Sequence, residues 1–509
     1  LEKQRKPSRL LGAALGGVAF GITSLVALPA VTEAAEVRLG VNDIGRHGNP
    51  FSGRGNPGTF LWNALFDPLS LPDDSGSPRP VLSTGWKVVN PTTWEFTTRD
   101  GVVFSNGEAF NAQAAAATLE WMASEAGQAS VVGREFRGVA KVEVVNDNTL
   151  RIVTKAPDPL LVNKLAMLYM VAPKAWADLG PDGFNADPVG TGPFAKESFT
   201  GEALTLTRNT TSWRPGKVDK VALLGLPEQA SRLQALLSNQ IDVAFGMGPD
   251  NIGQMEGSGI NVLVTPAPQV MSLMMRTEVD GDSPLKDRRV RQALNYAVDK
   301  ESMARDLLLG QGKAAGQSGT PASFGYHPTL QPYPYDPAKA KALLAEAGYA
   351  DGFPLKIEVI TGSFPSDADI YQKAAQDLTA VGIDVEMERV NFPDWLKKFL
   401  NNTWAGHAFG SSWNSAPYMD SFRAYSYQTC AKRNPHFCDA DQTPLYEQVS
   451  VEMDPTKREA LLLKLHEVTK EVAPAIFLVE QIDVTGVNKR IDGFRYVNRN
   501  IDYSAIAAN

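Results

Sequence analysis

Asp187-Pro188-Val189-Gly190-Thr191-Gly192-Pro193-Phe194 is the stretch around which the chain can be read. Two glycines and two prolines within eight residues forbid a helix. Pro193 fixes its own φ and pushes Gly192 away from the α region. Gly190 and Gly192 lack a Cβ, so another backbone or a ligand can come close. Two readings stay open here. One is a structural turn feeding the alternating run Leu204-Thr205-Leu206-Thr207-Arg208. The other is a bare backbone wall beside a binding cleft.

Outward from this loop the chain alternates strands and helices. Residues 37–41 alternate as a first strand. A polar loop over 42–58 follows, then a helical segment over 60–65. The loop contains Gly53-Arg54-Gly55-Asn56-Pro57-Gly58. These glycines fit a dinucleotide fingerprint in spacing but stand more than about ten residues beyond the strand, so no cofactor is expected. Residues 92–98 read as a strand, Asn111 caps a helix over 112–123, and 141–145 with 149–154 form a hairpin. A strand over 218–224, a helix over 228–237 and a strand over 241–245 make a unit whose strands should run parallel.

Thr265-Pro266-Ala267-Pro268 reads as a crossing between lobes, because two prolines stop both a helix and a central strand. Beyond it helices dominate. Residues 288–298 are amphipathic, Asp299 caps a helix expected to reach 309, and Asp336-Pro337 opens a helix over 338–347. Strands over 355–361 and 383–390 flank a helix over 368–380, a second parallel unit. A strand near 404–413, a helix over 455–472 and a buried strand over 474–479 complete the pattern.

Lys3, Arg5, Lys6 and Arg9 precede an apolar run over 10–30, and small residues follow. That is the pattern of a secretory signal peptide over 1–34, cut after Ala34. No cysteine stands at that point, so no lipid attachment is expected. The net charge of −8 argues against nucleic acid as a partner. The five histidines do not pair at helical metal-ligand spacing. Cys430 and Cys438 are the only two cysteines, and in an exported chain they most simply form one local disulfide. A zinc site using His436 would lack a fourth ligand.

Five stretches, this one among them, carry a resemblance. They are Phe96 through Glu108 (FTTRDGVVFSNGE), Asp187 through Phe194, Leu237 through Asp242 (LSNQID), Val290 through Asp299 (VRQALNYAVD), and Asp336-Pro337 with Ala345-Glu346-Ala347-Gly348-Tyr349. In this order they resemble the extracytoplasmic solute-binding proteins of ABC importers, in the large peptide/nickel-binding class. The resemblance implies an α/β, two-lobed periplasmic-binding-protein fold of type II, with an extra subdomain in the first lobe. The first lobe would comprise 35–268 and 481–509, with the subdomain at 51–184, and the second lobe 269–480. It implies a monomer in the periplasm that clamps a solute between its lobes and delivers it to ABC permease subunits in the membrane. A secreted hydrolase acting on a similar ligand is the competing class. No G-x-S-x-G elbow supports it, and nothing marks a catalytic acid pair.

In peptide-binding members of that class an aspartate three residues after a tryptophan anchors the peptide amino group. Here Trp413 is followed at that position by Ala416, and the nearest acid is Asp420. This departure points from ordinary peptides toward an opine-like amino acid conjugate or a sugar conjugate, with Trp413 as stacking platform and Asn414, Ser415 and Asp420 beside it; the other reading of Trp413 is a buried core tryptophan at a strand end. Nickel is a weaker alternative that would need a small-molecule carrier. In the loop after the first strand, Arg46, His47, Asn49 and Arg54 form a basic group suited to a carboxylate or phosphate. Nothing in the pattern calls for a resident metal or cofactor.

Overall fold

The first strand, β1 (Glu36–Val41), does not lie at a sheet edge. It sits in the middle of the first lobe's part of the sheet, paired in parallel with one later strand on each side. The structure is a computed structural model that describes residues 35–45, 48–52, 56–201, 203–432 and 434–509. The leader expected at 1–34, and Arg46, His47 and Arg54, lie outside the described residues.

After β1 come helix α1 (Asn56–Leu65) and a short hairpin, β2 (Ser70–Pro72) with β3 (Pro78–Pro80). A separate four-stranded sheet follows, built from β4 (Ser83–Asn90), β5 (Thr93–Thr98), β6 (Val139–Asn146) and β7 (Thr149–Thr154) in the order β4-β5-β7-β6. Helix α2 (Ala112–Ala123) packs on it, capped by Asn111, whose Oδ1 accepts from Ala114 N at 3.0 Å. The main sheet resumes with β8 (Phe194–Phe199), β9 (Ala203–Arg208), β10 (Lys220–Gly225), helix α3 (Gln229–Leu237) and β11 (Val243–Met247). β10 and β11 run parallel, as the pattern predicts, but β1 lies between them. β8 was not visible as a strand in the sequence. It starts on Phe194 itself, so the Gly-Thr-Gly loop turns directly into an edge strand.

The crossing at 265–268 behaves differently from expectation. β12 (Asn261–Met275) continues through both prolines instead of stopping. Pro266 still faces Ile482, and the register then shifts before Val270. A proline removes a donor but leaves extended φ available, so the ladder breaks while the strand persists.

The second lobe adds helix α4 (Arg288–Ala297), β13 (Lys313–Ala314), β14 (Pro354–Val359), helix α5 (Asp367–Ala380), β15 (Asp384–Arg389), β16 (Ala408–Asn414), helix α6 (Pro455–Val472) and β17 (Ala475–Val487). The helix expected from Asp299 to 309 is only a turn, Lys300–Ser302, followed by a π-turn over Met303–Leu307. β17 does not end at 479. It runs antiparallel to β12 from Ala475 to Val487 and makes the return crossing. One sheet therefore spans both lobes in the order β15-β14-β16-β12-β17-β11-β1-β10-β9-β8. The first lobe has its own apolar core around Val37, Leu39 and Phe60, and the second has cores around α4–α5 and around Trp413. Among the described residues no helix is long and apolar enough to cross a membrane. Cys430 and Cys438 are joined in a disulfide, so the zinc alternative falls.

Candidate functional site: a cavity between the lobes

The Gly-Thr-Gly loop closes against protein, not against open space. A Cβ on Gly190 would lie 2.1 Å from the Leu65 carbonyl oxygen, and one on Gly192 would lie 2.4 Å from that of Ala64. Gly192 N donates to Leu65 O at 2.9 Å. The two glycines thus let the loop press onto the last turn of α1. Thr191 Oγ1 donates to Asp67 Oδ2 at 2.8 Å, and Trp213 Nε1 donates to the same oxygen at 2.9 Å. Arg214 completes this buried knot, its Nε donating to Asp67 Oδ1 at 2.7 Å. The loop's job is to fix α1, and α1 forms one wall of the site.

That site is a cavity of about 290 Å³. From the first lobe come Thr59 and Trp62 on α1, Leu71 and Pro72 on β2, Glu135 and Tyr169. The C-terminal segment adds Asn498, Arg499 and Asn500, and the second lobe adds Asn414, Ala416, Pro417 and Arg423. The lobes also touch directly. Tyr418 OH donates to Glu135 Oε2 at 2.5 Å, and Asn163 Nδ2 donates to Tyr418 O at 2.7 Å. Gly76, at the tip of the β2–β3 hairpin with φ +82°, leaves no room for a Cβ beside the Ala322 carbonyl of the second lobe. Burial, and secondarily the Glu135 carboxylate, push the Tyr418 phenol well above its usual range. It therefore acts as a donor at any physiological pH.

The expected site residues divide. Asn414 lines the cavity, and Ala416 lines it too. Trp413 does not: it is 1% exposed, its ring packs edge-on against Tyr425 and Phe477, and Nε1 approaches Met274 Sδ at 2.8 Å. Strand alternation on β16 turns it into the core while Asn414 faces the cleft, so no face is open for stacking. Ser415 is 1% exposed and donates to Pro268 O at 3.1 Å, tying β16 to the crossing. Asp420 is held by Arg458, with Nη1 to Oδ2 at 2.6 Å and Nη2 to Oδ1 at 3.2 Å, both side chains buried. Such a pair has no carboxylate left for a ligand. Asn49 is also buried. Its Oδ1 accepts from Phe51 N at 2.9 Å and shapes the loop, while Pro50 reaches the cavity.

Sequence reasoning missed Glu135, Arg423 and Arg499. They lie in a short 3-10 turn, another 3-10 segment, and the tail, where no periodicity marks a facing side. Arg499 is neutralised by Asp483, with Nε to Oδ2 at 2.8 Å and Nη2 to Oδ1 at 2.9 Å, and it also donates to Gln269 Oε1. His466 Nε2 lies 3.1 Å from Ser421 Oγ, the pairing a hydrolase would use. Both are sealed, at 1% and 0% exposure, and burial lowers the imidazole to about 4. No substrate reaches them. Among the described residues no group of three or more His, Cys, Asp or Glu could hold a metal ion.

Two lobes on one shared sheet, meeting around a cavity lined from both sides, are the architecture of a clamp-type solute-binding protein. The chain belongs to the bacterial extracellular solute-binding proteins, family 5, whose middle portion matches residues 77–435. It is 25% identical over 497 residues to the glutathione-binding protein GsiB of Salmonella typhi, covering 94% of this chain and 95% of that one. The fold is similar to that of the periplasmic binding protein DppA from Helicobacter pylori in complex with the peptide STSA. The TM-score is 0.77 and the identity 21%, covering 93% of this chain and 98% of the other. It is likewise similar to AgaA from A. tumefaciens R10 in complex with agropinic acid. There the TM-score is 0.76 and the identity 20%, over 93% and 99% of the two chains.

Proposed function

We propose that this chain is the solute-receiving component of an ABC importer. It works as a monomer in the periplasm, exported by the leader at 1–34 without lipid attachment, and captures a small peptide-like solute or an opine or sugar conjugate. The lobes divide at 268 and 481. Closure brings both walls onto the solute, so binding shifts the population toward the closed form that permease subunits in the membrane recognise. The observation that carries this reading is the cavity lined by α1, β2 and the tail on one side and by Asn414, Ala416 and Arg423 on the other. The glutathione-binding relative supports the peptide-like class.

The role is capture, not catalysis. The test is to purify the protein natively, denature it, and identify what is released by mass spectrometry. A small amino-acid-derived compound, returned unchanged after incubation with fresh protein, is the expected result. Release of nothing small, or chemical turnover of the released compound, would refute it.

A further inference from the structure

Among the described residues three charged side chains line the cavity, and two of them have no opposite charge within ion-pairing distance. Arg499 is matched by Asp483. Glu135, on the first lobe, accepts one neutral hydrogen bond from Tyr418 through Oε2, and its Oε1 has no protein partner among the described residues. Arg423, on the second lobe, donates from Nη1 to Asn414 O at 2.8 Å, and its Cζ lies 5.4 Å from the Tyr418 ring centroid. No carboxylate lies within ion-pairing distance of it among the described residues. Both side chains are half-buried.

Tyr418 is the part common to both. Its hydroxyl orients Glu135 and its ring orients Arg423, so the two charges are preorganised on one rigid side chain that is itself 4% exposed. Preorganised groups lose little rotamer freedom on binding. An unpaired charge in a closing cleft costs free energy unless it is matched. A ligand that brings an ammonium to Glu135 and a carboxylate to Arg423 would match both. The group between them faces Ala416 and Pro417, which add no charge.

We infer that Glu135 and Arg423 are the two anchors of a dipolar ligand, one that carries a free amino group and a free carboxylate, such as a short peptide or amino acid derivative. This rests on the cleft reading above and deepens it. The carboxylate half agrees with an acidic ligand. The amino half puts Glu135, from the opposite lobe, where Ala416 offers no acid.

The test uses alanyl-alanine, alanyl-glutamate and glutathione as probes, each also in N-acetylated and C-terminally amidated form. Calorimetry is done on full-length protein freed of any co-purified compound. At least one free probe should bind. Acetylation and amidation should each weaken it at least about tenfold. Glu135→Gln should reproduce the loss caused by acetylation and be insensitive to it. Arg423→Gln should do the same for amidation. Absence of binding by every free probe, equal binding of the blocked forms, or unchanged affinity in both variants would overturn the inference. Ala416→Trp, which fills the cavity, separates this from the cleft reading. If it retains the co-purified compound, the cleft reading falls. If it loses the compound while both charge variants bind normally, only the anchors fall.

Discussion

The Tyr418 hydroxyl of the second lobe donates to the Glu135 carboxylate of the first at 2.5 Å. This bond can exist only while the lobes are together. It is a hydrogen bond to a charged group, and such bonds contribute about 1.5–3 kcal/mol. Whatever it contributes is contributed to the closed form alone, so it biases the clamp before any solute arrives.

Tyr418→Phe should therefore open the clamp. The variant is expected to show a larger radius of gyration by small-angle X-ray scattering without ligand. Its affinity for the natural solute should fall about tenfold or more. An unchanged radius together with unchanged affinity would mean the bond contributes nothing to closure.

Glu480 predicts a pH dependence. It lies on β17 at 9% exposure, accepts from Tyr326 OH at 3.3 Å, and burial pushes its carboxyl from 4.5 up to about 7. Below pH 4.5 the group is protonated folded and unfolded, and its contribution is fully present. As pH rises from there to 7, the unfolded chain releases the proton first, so stability falls. Above 7 the loss is complete, at about 3 kcal/mol. Glu480→Gln should match the parent near pH 4.5 and exceed it increasingly toward pH 8 in urea unfolding. A constant difference between the two proteins across that range would contradict this.

Gly192→Ala tests the contact between the loop and α1. Its Cβ would meet the Ala64 carbonyl oxygen at 2.4 Å and the Leu65 carbonyl carbon at 2.5 Å, both backbone atoms that cannot swing aside. Overpacking of this kind costs about 1–3 kcal/mol. Because α1 carries Thr59 and Trp62 into the cavity, affinity should fall as well. Gly138→Ala, where a Cβ meets nothing within 4 Å, is the control and should leave both unchanged. Thermal melts and calorimetry of the pair decide it.

The Cys430–Cys438 bridge closes a short loop. In the chain-entropy account, a loop of this length restricts the unfolded state by about 2.5 kcal/mol. The double serine variant should unfold at correspondingly lower denaturant, with solute affinity retained, since neither cysteine lines the interlobe cavity. A variant as stable as the parent would show that the bridge contributes no net stability.

Much of the architecture is written in local pattern. Asn111 and Asp336 announce their helices because capping depends on neighbours two or three residues away, and each accepts such a hydrogen bond here. The strand–helix–strand units at β10–β11 and β14–β15 follow from alternation and chirality, and both come out parallel. The ordered run of family-like segments carried the two-lobed class. What tertiary structure alone decided is which partner each side chain meets. Strand alternation assigns Trp413 and Asn414 to opposite faces, but only the packed lobe says which face is core. Asp420 looks free until Arg458 arrives from α6. Glu135 and Arg423 stand far apart in the chain, in irregular turns without periodicity, and closure of the two lobes brings them to one cavity. Local sequence dictates backbone conformation through short-range sterics and hydrogen bonds, whereas pairing of charges and burial of rings depends on contacts that no local window contains.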